Sequence, residues 1–153
     1  MMVSAGILMY RVRDGRLEVL LAHPGGPWWR KKDAAAWTIP KGGVLPGETP
    51  LAAARREFAE ELGFEPPEAV IPLEPLKQPS RKLVHAWAAE GDWDPAQLRS
   101  NDFELEWPPR SGRLQSFPEV DRAAWFGMEE ARAKLLRGQV PFLDELAAKL
   151  GRA

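Results

Sequence analysis

Cysteine is absent from this chain, and histidine is scarce. The 153 residues include no cysteine and two histidines, His23 and His85. Disulfide bonds, thiolate catalysis and cysteine-based zinc sites are therefore excluded, and a histidine-rich metal site is not expected. Any metal ion must be held mainly by carboxylate and carbonyl oxygens, which are ligands that suit Mg²⁺, Mn²⁺ or Ca²⁺.

An excess of charge and a long apolar segment are lacking as well. The formal net charge is −1, so no large positive field is available to bind long nucleic acid. No apolar run reaches the ~18 residues that cross a bilayer. The apolar segment from Met1 to Tyr10 lacks a basic start and indicates a strand instead of a signal peptide. We therefore expect a cytoplasmic protein with neither a membrane nor a long nucleic acid as its partner.

The length fits a single domain over residues 1–153. Strand-like segments surround one strong helix, and two helices end the chain, an order that predicts an α+β fold. The strands are expected at Val3–Val12, Leu17–Ala22, Val70–Leu76, Lys82–Ala89, Phe103–Trp107 and Ala123–Phe126, the last helices at Met128–Arg137 and Phe142–Leu150, and an irregular glycine-rich loop at Lys41–Gly47.

The strong helix is expected from Thr49 to Leu62. Thr49 is a favourable N-cap, Pro50 suits the first helical position, and Gly63 ends the helix. Within it, three glutamates share one face because they stand at positions i, i+3 and i+4: Glu57, Glu60 and Glu61.

Like charges at this spacing destabilise a helix by about 0.2–0.5 kcal/mol per pair. A bound divalent cation would compensate for that repulsion, since Mg²⁺ takes carboxylate oxygens, water and substrate phosphates as ligands. The alternative is an acidic face that contacts only solvent.

The surrounding segment favours the metal site. Residues 42–64 read GGVLPGETPLAAARREFAEELGF. They match the Nudix box, which is G, five residues, E, seven residues and REUxEExGU, where U is a bulky apolar residue, here Phe58 and Phe64. The chain therefore resembles the Nudix hydrolases, and the resemblance implies an α/β/α sandwich around a mixed β-sheet.

The resemblance also implies roles for the residues of the box. Water would attack a phosphorus of a P–O–P link with Mg²⁺ as the cofactor, for which Mn²⁺ could substitute. Arg56 would orient Glu57, while Glu48 and Gly63 would shape the loop and the helix end. The implied metal site comprises Glu57, Glu60, Glu61 and Gly42.

Two residues are candidates for the general base. In some Nudix enzymes it resembles Glu57, and in others it is an acidic residue on a distant loop or strand. Glu119 is the distant candidate, because the segment Phe117–Phe126 resembles the E-x-x-x-x-x-W segment of diadenosine polyphosphate and RNA-cap-type Nudix hydrolases. Its alternative role is that of a surface acid.

The segment that enters the box bears on the substrate. Trp37–Gly42 reads WTIPKG, and W-x-x-P-K-G resembles the diadenosine polyphosphate hydrolase branch. Lys41 would then contact the phosphate chain, and Lys82 could face the same cleft; both could instead be surface lysines. The tyrosine that is common near the substrate in that branch is absent, since Tyr10 lies in the first strand.

A nucleobase needs a flat apolar surface to stack on. Trp28 and Trp29 lie in a predicted loop and are candidates, although they could simply pack the loop on the body. Arg110 is a further candidate contact for the substrate.

These patterns predict a Mg²⁺-dependent enzyme that hydrolyses a dinucleoside polyphosphate or a nucleoside triphosphate. A nucleotide sugar and the 5′ end of RNA are alternative substrates. An inactive ligand-binding module is the alternative from another class, although all three box carboxylates are present. Whether the protein is a monomer or a homodimer stays open.

Overall fold

The computed structural model describes residues 2–152, and Met1 and Ala153 lie outside the described residues. The helices are α1 (Pro50–Leu62), α2 (Met128–Lys134) and α3 (Val140–Lys149), and 3₁₀ turns cover Pro95–Gln97 and Arg137–Gln139. The strands are β1 (Met2–Arg13), β2 (Arg16–Pro24), β3 (Lys41–Gly43), β4 (Ile71–Lys77), β5 (Lys82–Glu90), β6 (Asp102–Glu106), β7 (Leu114–Pro118) and β8 (Val120–Gly127).

Six strands form a mixed sheet. Its order is β4-β5-β1-β2-β8, and β3 pairs with the start of β1. The β1–β5 pair is parallel, and the other pairs are antiparallel. The remaining strands, β6 and β7, form a separate hairpin.

Each face of the sheet packs against helices. Successive side chains of a strand point to opposite faces, so Ile7 and Met9 join the cluster that contains Phe58 of α1. Leu8 belongs to the other cluster, together with Phe142 of α3. The predicted α+β fold and the α/β/α sandwich are thereby confirmed. None of the helices within residues 2–152 is long and apolar enough to cross a membrane.

Several predicted boundaries differ from the structure. The predicted loop from Lys41 begins with β3, because residues 41–43 pair with Ser4–Gly6 of β1. The predicted strand β8 is longer than expected, and β7 was not predicted.

The helix expected to reach Arg137 ends at Lys134. The backbone of Trp37 takes the hydrogen bonds that a longer helix would use. Its N–H donates to the Lys134 carbonyl at 2.9 Å, and its carbonyl accepts from Leu136 at 2.7 Å.

Candidate active site

Helix α1 is fixed at both ends and along its buried face. The Thr49 hydroxyl accepts a hydrogen bond from the Ala52 N–H at 3.1 Å, and Gly63 ends the helix with φ of 90°. Phe58 and Leu62 are fully buried. Their burial sets the rotation of the helix, and the glutamates one residue earlier in each turn face a cleft.

Three carboxylates converge in this cleft. One oxygen from each of Glu57, Glu61 and Glu119 lies within 4.8 Å of the others. The pKa of Glu61 is raised to about 8 by burial and by the charges of Glu57 and Glu119, against a hydrogen bond from the Lys41 N–H. Burial, Glu57 and Glu60 likewise raise the pKa of Glu119. Such a group of carboxylates is suited to bind a divalent cation, which would relieve the mutual repulsion.

Glu119 reaches the helix through a chain of backbone hydrogen bonds. Its N–H donates to the Asn101 carbonyl at 2.8 Å, and the Asn101 N–H donates to the Glu60 carbonyl at 2.9 Å. On the other side, the Glu119 carbonyl accepts from the Gly25 N–H at 2.9 Å. A residue 58 positions beyond Glu61 in the sequence is therefore held beside it.

Arg56 connects one member of this group, Glu57, to two acidic residues outside it. It forms ion pairs with Glu48 at 2.8 Å, Glu57 at 2.9 Å and Glu60 at 3.2 Å. It also donates to the Gly43 carbonyl at 3.0 Å. The guanidinium and the Leu45 N–H lower the pKa of Glu48 to about 2. Glu60 thus lies beside the converging carboxylates and is paired with Arg56, and its role as a metal ligand stays a prediction.

Steric contacts explain why two positions of the box, Gly42 and Gly63, are glycine. A Cβ on Gly42 would lie 2.0 Å from the Glu57 carboxyl carbon, so a side chain there would displace the Glu57 carboxylate. Gly63 has a left-handed φ of 90°, and a Cβ there would lie 2.6 Å from the Arg99 carbonyl oxygen.

The cleft has a volume of about 410 Å³, and one side of it is apolar. Lys41, Trp28 and Trp29 line it, and their roles in substrate binding stay predictions. Burial lowers the pKa of Lys41, as does the charge of Lys82, whereas Glu61 and Glu57 oppose this shift. A larger groove of about 900 Å³ lies near α2 and is remote from the converging carboxylates.

Lys82 and Arg110 were predicted to contact the substrate, but neither is among the described residues that line the cleft. Lys82 lies near enough to Lys41 to lower the pKa of that lysine, but it is not part of the lining. Arg110 is exposed in the β6–β7 turn with φ of 60°. Their roles stay predictions.

Two lining residues, Phe103 and Leu105, were not predicted from the sequence. Both belong to β6, where apolar and acidic residues alternate in DFELEW. This alternation could have been used to predict the two residues. It places the apolar side chains on one face of the strand, and such a face is stable only when it packs against another apolar surface.

Comparison with known proteins agrees with the geometry. The sequence pattern of the NUDIX domain matches residues 2–146. The chain belongs to the Nudix family. The box positions, from Gly42 to Phe64, lie inside the matched range.

Solved structures of this family resemble the protein along its length. A C. elegans Ap4A hydrolase in a binary complex is 26% identical, covers 97% of this chain and 98% of its own, and has a TM-score of 0.67. The NUDIX domain of Shewanella oneidensis NrtR, crystallised with ADP ribose, is 14% identical over 98% of this chain and 88% of that chain, with a TM-score of 0.67. The second likeness shows the fold alone.

Curated relatives match over a shorter span. An RNA pyrophosphohydrolase from Francisella tularensis subsp. tularensis is 41% identical over 44 residues, which are 29% of this chain and 28% of that protein. The one from Francisella philomiragia is 49% identical over 39 residues, 26% of this chain and 25% of that protein. The chain thus spans about a quarter of the length of these relatives.

Proposed function

We propose that this Nudix protein hydrolyses a pyrophosphate bond in a nucleoside diphosphate-linked substrate, with Mg²⁺ as its cofactor. The observation that carries the proposal is the convergence of Glu57, Glu61 and Glu119 within 4.8 Å at the charged end of a cleft. The donor set consists of carboxylate oxygens, which fit a hard divalent cation such as Mg²⁺ or Mn²⁺. Bound there, the cation would neutralise phosphate charge and lower the pKa of the attacking water.

The side chains around the cation site have distinct tasks in this proposal. Arg56 holds Glu57 in place through an ion pair of 2.9 Å. Lys41 brings a positive charge to the cleft and favours a substrate with several phosphates. Either Glu57 or Glu119 accepts the proton of the attacking water. The water oxygen then forms a bond to phosphorus while the bridging P–O bond breaks, and the leaving phosphate takes the bonding electron pair.

A dinucleoside polyphosphate or a nucleoside triphosphate suits this cleft best. Lys41 and the carboxylates stand at the charged end, and Trp28 and Trp29 line the same space. A ligand that joins a polyphosphate to a flat ring satisfies both ends. The likeness to an Ap4A hydrolase supports this substrate class, and the local similarity to RNA pyrophosphohydrolases keeps an RNA 5′ end in the test.

A panel assay with Mg²⁺ tests the proposal. The substrates are diadenosine tetra- to hexaphosphate, the four nucleoside triphosphates, nucleotide sugars and a short 5′-triphosphorylated RNA, and EDTA serves as the control. We expect EDTA-sensitive hydrolysis that is fastest with the dinucleotides or triphosphates. Faster hydrolysis of another class would change the assigned substrate class. If the folded protein hydrolysed none of the substrates, the assignment as an enzyme would be refuted.

Matched variants locate the chemistry. Glu57→Gln, Glu61→Gln and Glu119→Gln keep the shape and remove one charge each, and each should lower turnover by about 10²-fold or more. Glu65→Gln is the control, because Glu65 is exposed and does not line the cleft. Glu60→Gln tests whether the glutamate paired with Arg56 also serves the metal.

A further inference from the structure

The β6–β7 hairpin is an amphipathic flap over the cleft. Phe103 and Leu105 are half-buried, whereas Asp102, Glu104 and Glu106 between and beside them are exposed. A two-stranded hairpin has little stability by itself. Its apolar face must therefore rest on another part of the molecule.

That part is the loop that follows β2. The rings of Trp28 and Trp107 meet edge to face with centroids 5.0 Å apart. The tip of the Phe103 ring lies over Gly26, where a Cβ would be 3.0 Å from it. The hairpin and the loop thus meet at two aromatic contacts, and together they form the apolar side of the cleft.

The composition of this apolar side limits how it can recognise a ligand. Trp28, Trp29, Phe103 and Leu105 supply ring faces and aliphatic surface. Among the described residues that line the cleft, none is Asn, Gln, Ser or Thr. Side-chain amides and hydroxyls are common means of reading the edge of a base. A flat ring would therefore be held here by stacking, which tolerates different bases and gains from a larger ring.

We propose that Phe103 is a specificity-determining residue whose ring stacks on the nucleobase, so that the cleft favours purine nucleotides with little distinction between adenine and guanine. This inference rests on the proposed function, since it assigns the base end of the same cleft. Leu105 extends the apolar surface beside Phe103, and the phosphates point to the carboxylates.

Binding of nucleoside monophosphates tests the inference without turnover, because they contain no pyrophosphate bond. AMP, GMP and CMP would be titrated by calorimetry into the wild type and Phe103→Leu, with ribose 5-phosphate as the ligand that lacks both a base and a pyrophosphate bond. Phe103→Leu retains apolar bulk and removes the ring. We expect this variant to weaken the binding of AMP and GMP about 5- to 150-fold, the range for loss of one stacked base, and to leave the binding of ribose 5-phosphate unchanged.

Two further variants separate recognition from folding. Phe117 is the cross-strand partner of Phe103, with ring centroids 6.1 Å apart, but it does not line the cleft. Phe117→Leu should bind AMP like the wild type, and Phe103→Tyr should retain most of the affinity. The inference would be overturned by an equal loss of AMP affinity in Phe103→Leu and Phe117→Leu, by an equal loss of affinity for AMP and ribose 5-phosphate, or by tighter binding of CMP than of AMP and GMP.

The two proposals fail separately. If AMP binding depends on Phe103 and no substrate of the panel is hydrolysed, the base site stands and the hydrolase assignment falls. If hydrolysis is fast and Phe103→Leu binds AMP as tightly as the wild type, the hydrolase assignment is supported and the base site at Phe103 is refuted.

Discussion

Replacing Gly25 by alanine should displace Glu119 and so test whether Glu119 belongs to the reacting site. Gly25 lies in the loop after β2, where its N–H donates to the Glu119 carbonyl at 2.9 Å. A Cβ on Gly25 would lie 1.8 Å from the Pro118 carbonyl oxygen and 2.9 Å from the carbonyl carbon. Both atoms are backbone, so a side-chain rotation cannot relieve the contact.

The size of the displacement follows from that distance. Real Cβ contacts do not fall below 3.0 Å, so the Pro118–Glu119 backbone or the Gly25 loop must retreat by about 1.2 Å. Glu119 now lies within 4.8 Å of Glu57 and Glu61. Since a misplacement of about 1 Å at a reacting group can reduce the rate by ~10²-fold, we expect Gly25→Ala to lower kcat by about that factor. Overpacking should also lower the free energy of unfolding by about 1–3 kcal/mol.

Steady-state kinetics at varied Mg²⁺ would measure this effect, with circular dichroism to establish that the variant is folded. We expect kcat to fall and the Mg²⁺ concentration for half-maximal activity to rise, because Gly25 acts through Glu119. Gly127→Ala is the matched control: a Cβ on Gly127, at the far end of β8, would meet no atom within 4 Å beyond its chain neighbours. A folded Gly25→Ala enzyme with the kcat and Mg²⁺ dependence of the wild type would refute the assigned position of Glu119 in the mechanism.

Three further predictions concern stability and the metal. Arg56 lowers the pKa of Glu48 to about 2. The Glu48 carboxylate therefore stabilises the fold fully above its ordinary pKa of 4.5, and this contribution is lost as the pH falls through about 2. In urea titrations, the difference in unfolding free energy between the wild type and Glu48→Gln should shrink over that pH interval. Gln139→Leu should lower the free energy of unfolding by about 1–3 kcal/mol, because Gln139 is buried and accepts a hydrogen bond from the Ile39 N–H at 3.0 Å. Mg²⁺ should raise the Tm of the wild type, EDTA should abolish the rise, and Glu61→Gln should reduce it because a ligand charge is gone.

The predictions for Gln139→Leu and Glu61→Gln each have a matched control variant. Gln97 is exposed in another 3₁₀ turn, so Gln97→Leu should leave urea unfolding almost unchanged. Glu65→Gln should keep the full Mg²⁺-dependent rise in Tm. If the difference in unfolding free energy between the wild type and Glu48→Gln did not change with pH, the assigned role of Glu48 would be wrong. If Mg²⁺ raised the Tm of Glu61→Gln as much as that of the wild type, the assigned role of Glu61 would be wrong.

Helix α1 illustrates what could be predicted from local sequence. Its N-cap, its first-turn proline and its terminal glycine act within one or two turns of the chain, so Thr49, Pro50 and Gly63 sufficed to predict both ends. The spacing of Glu57 and Glu61 also placed them on one face. The sandwich and the mixed sheet came from the family resemblance, since no local rule selects the partner of a strand.

The end of the β6–β7 hairpin that contacts α1 illustrates what local sequence could not predict. Glu119 was singled out as a candidate base, but its meeting with Glu61 depends on backbone hydrogen bonds through Asn101 and Gly25. The fit of Gly25 against Pro118 has the same origin.

The sequence by itself therefore determined the helix and the face that its glutamates share, because caps and i, i+4 spacing are local. Only the tertiary structure decided which acid joins Glu57 and Glu61, that Glu60 pairs with Arg56, and that Phe103 lines the cleft. Those outcomes depend on contacts between segments far apart in the chain, and the packing of the whole core sets their distances.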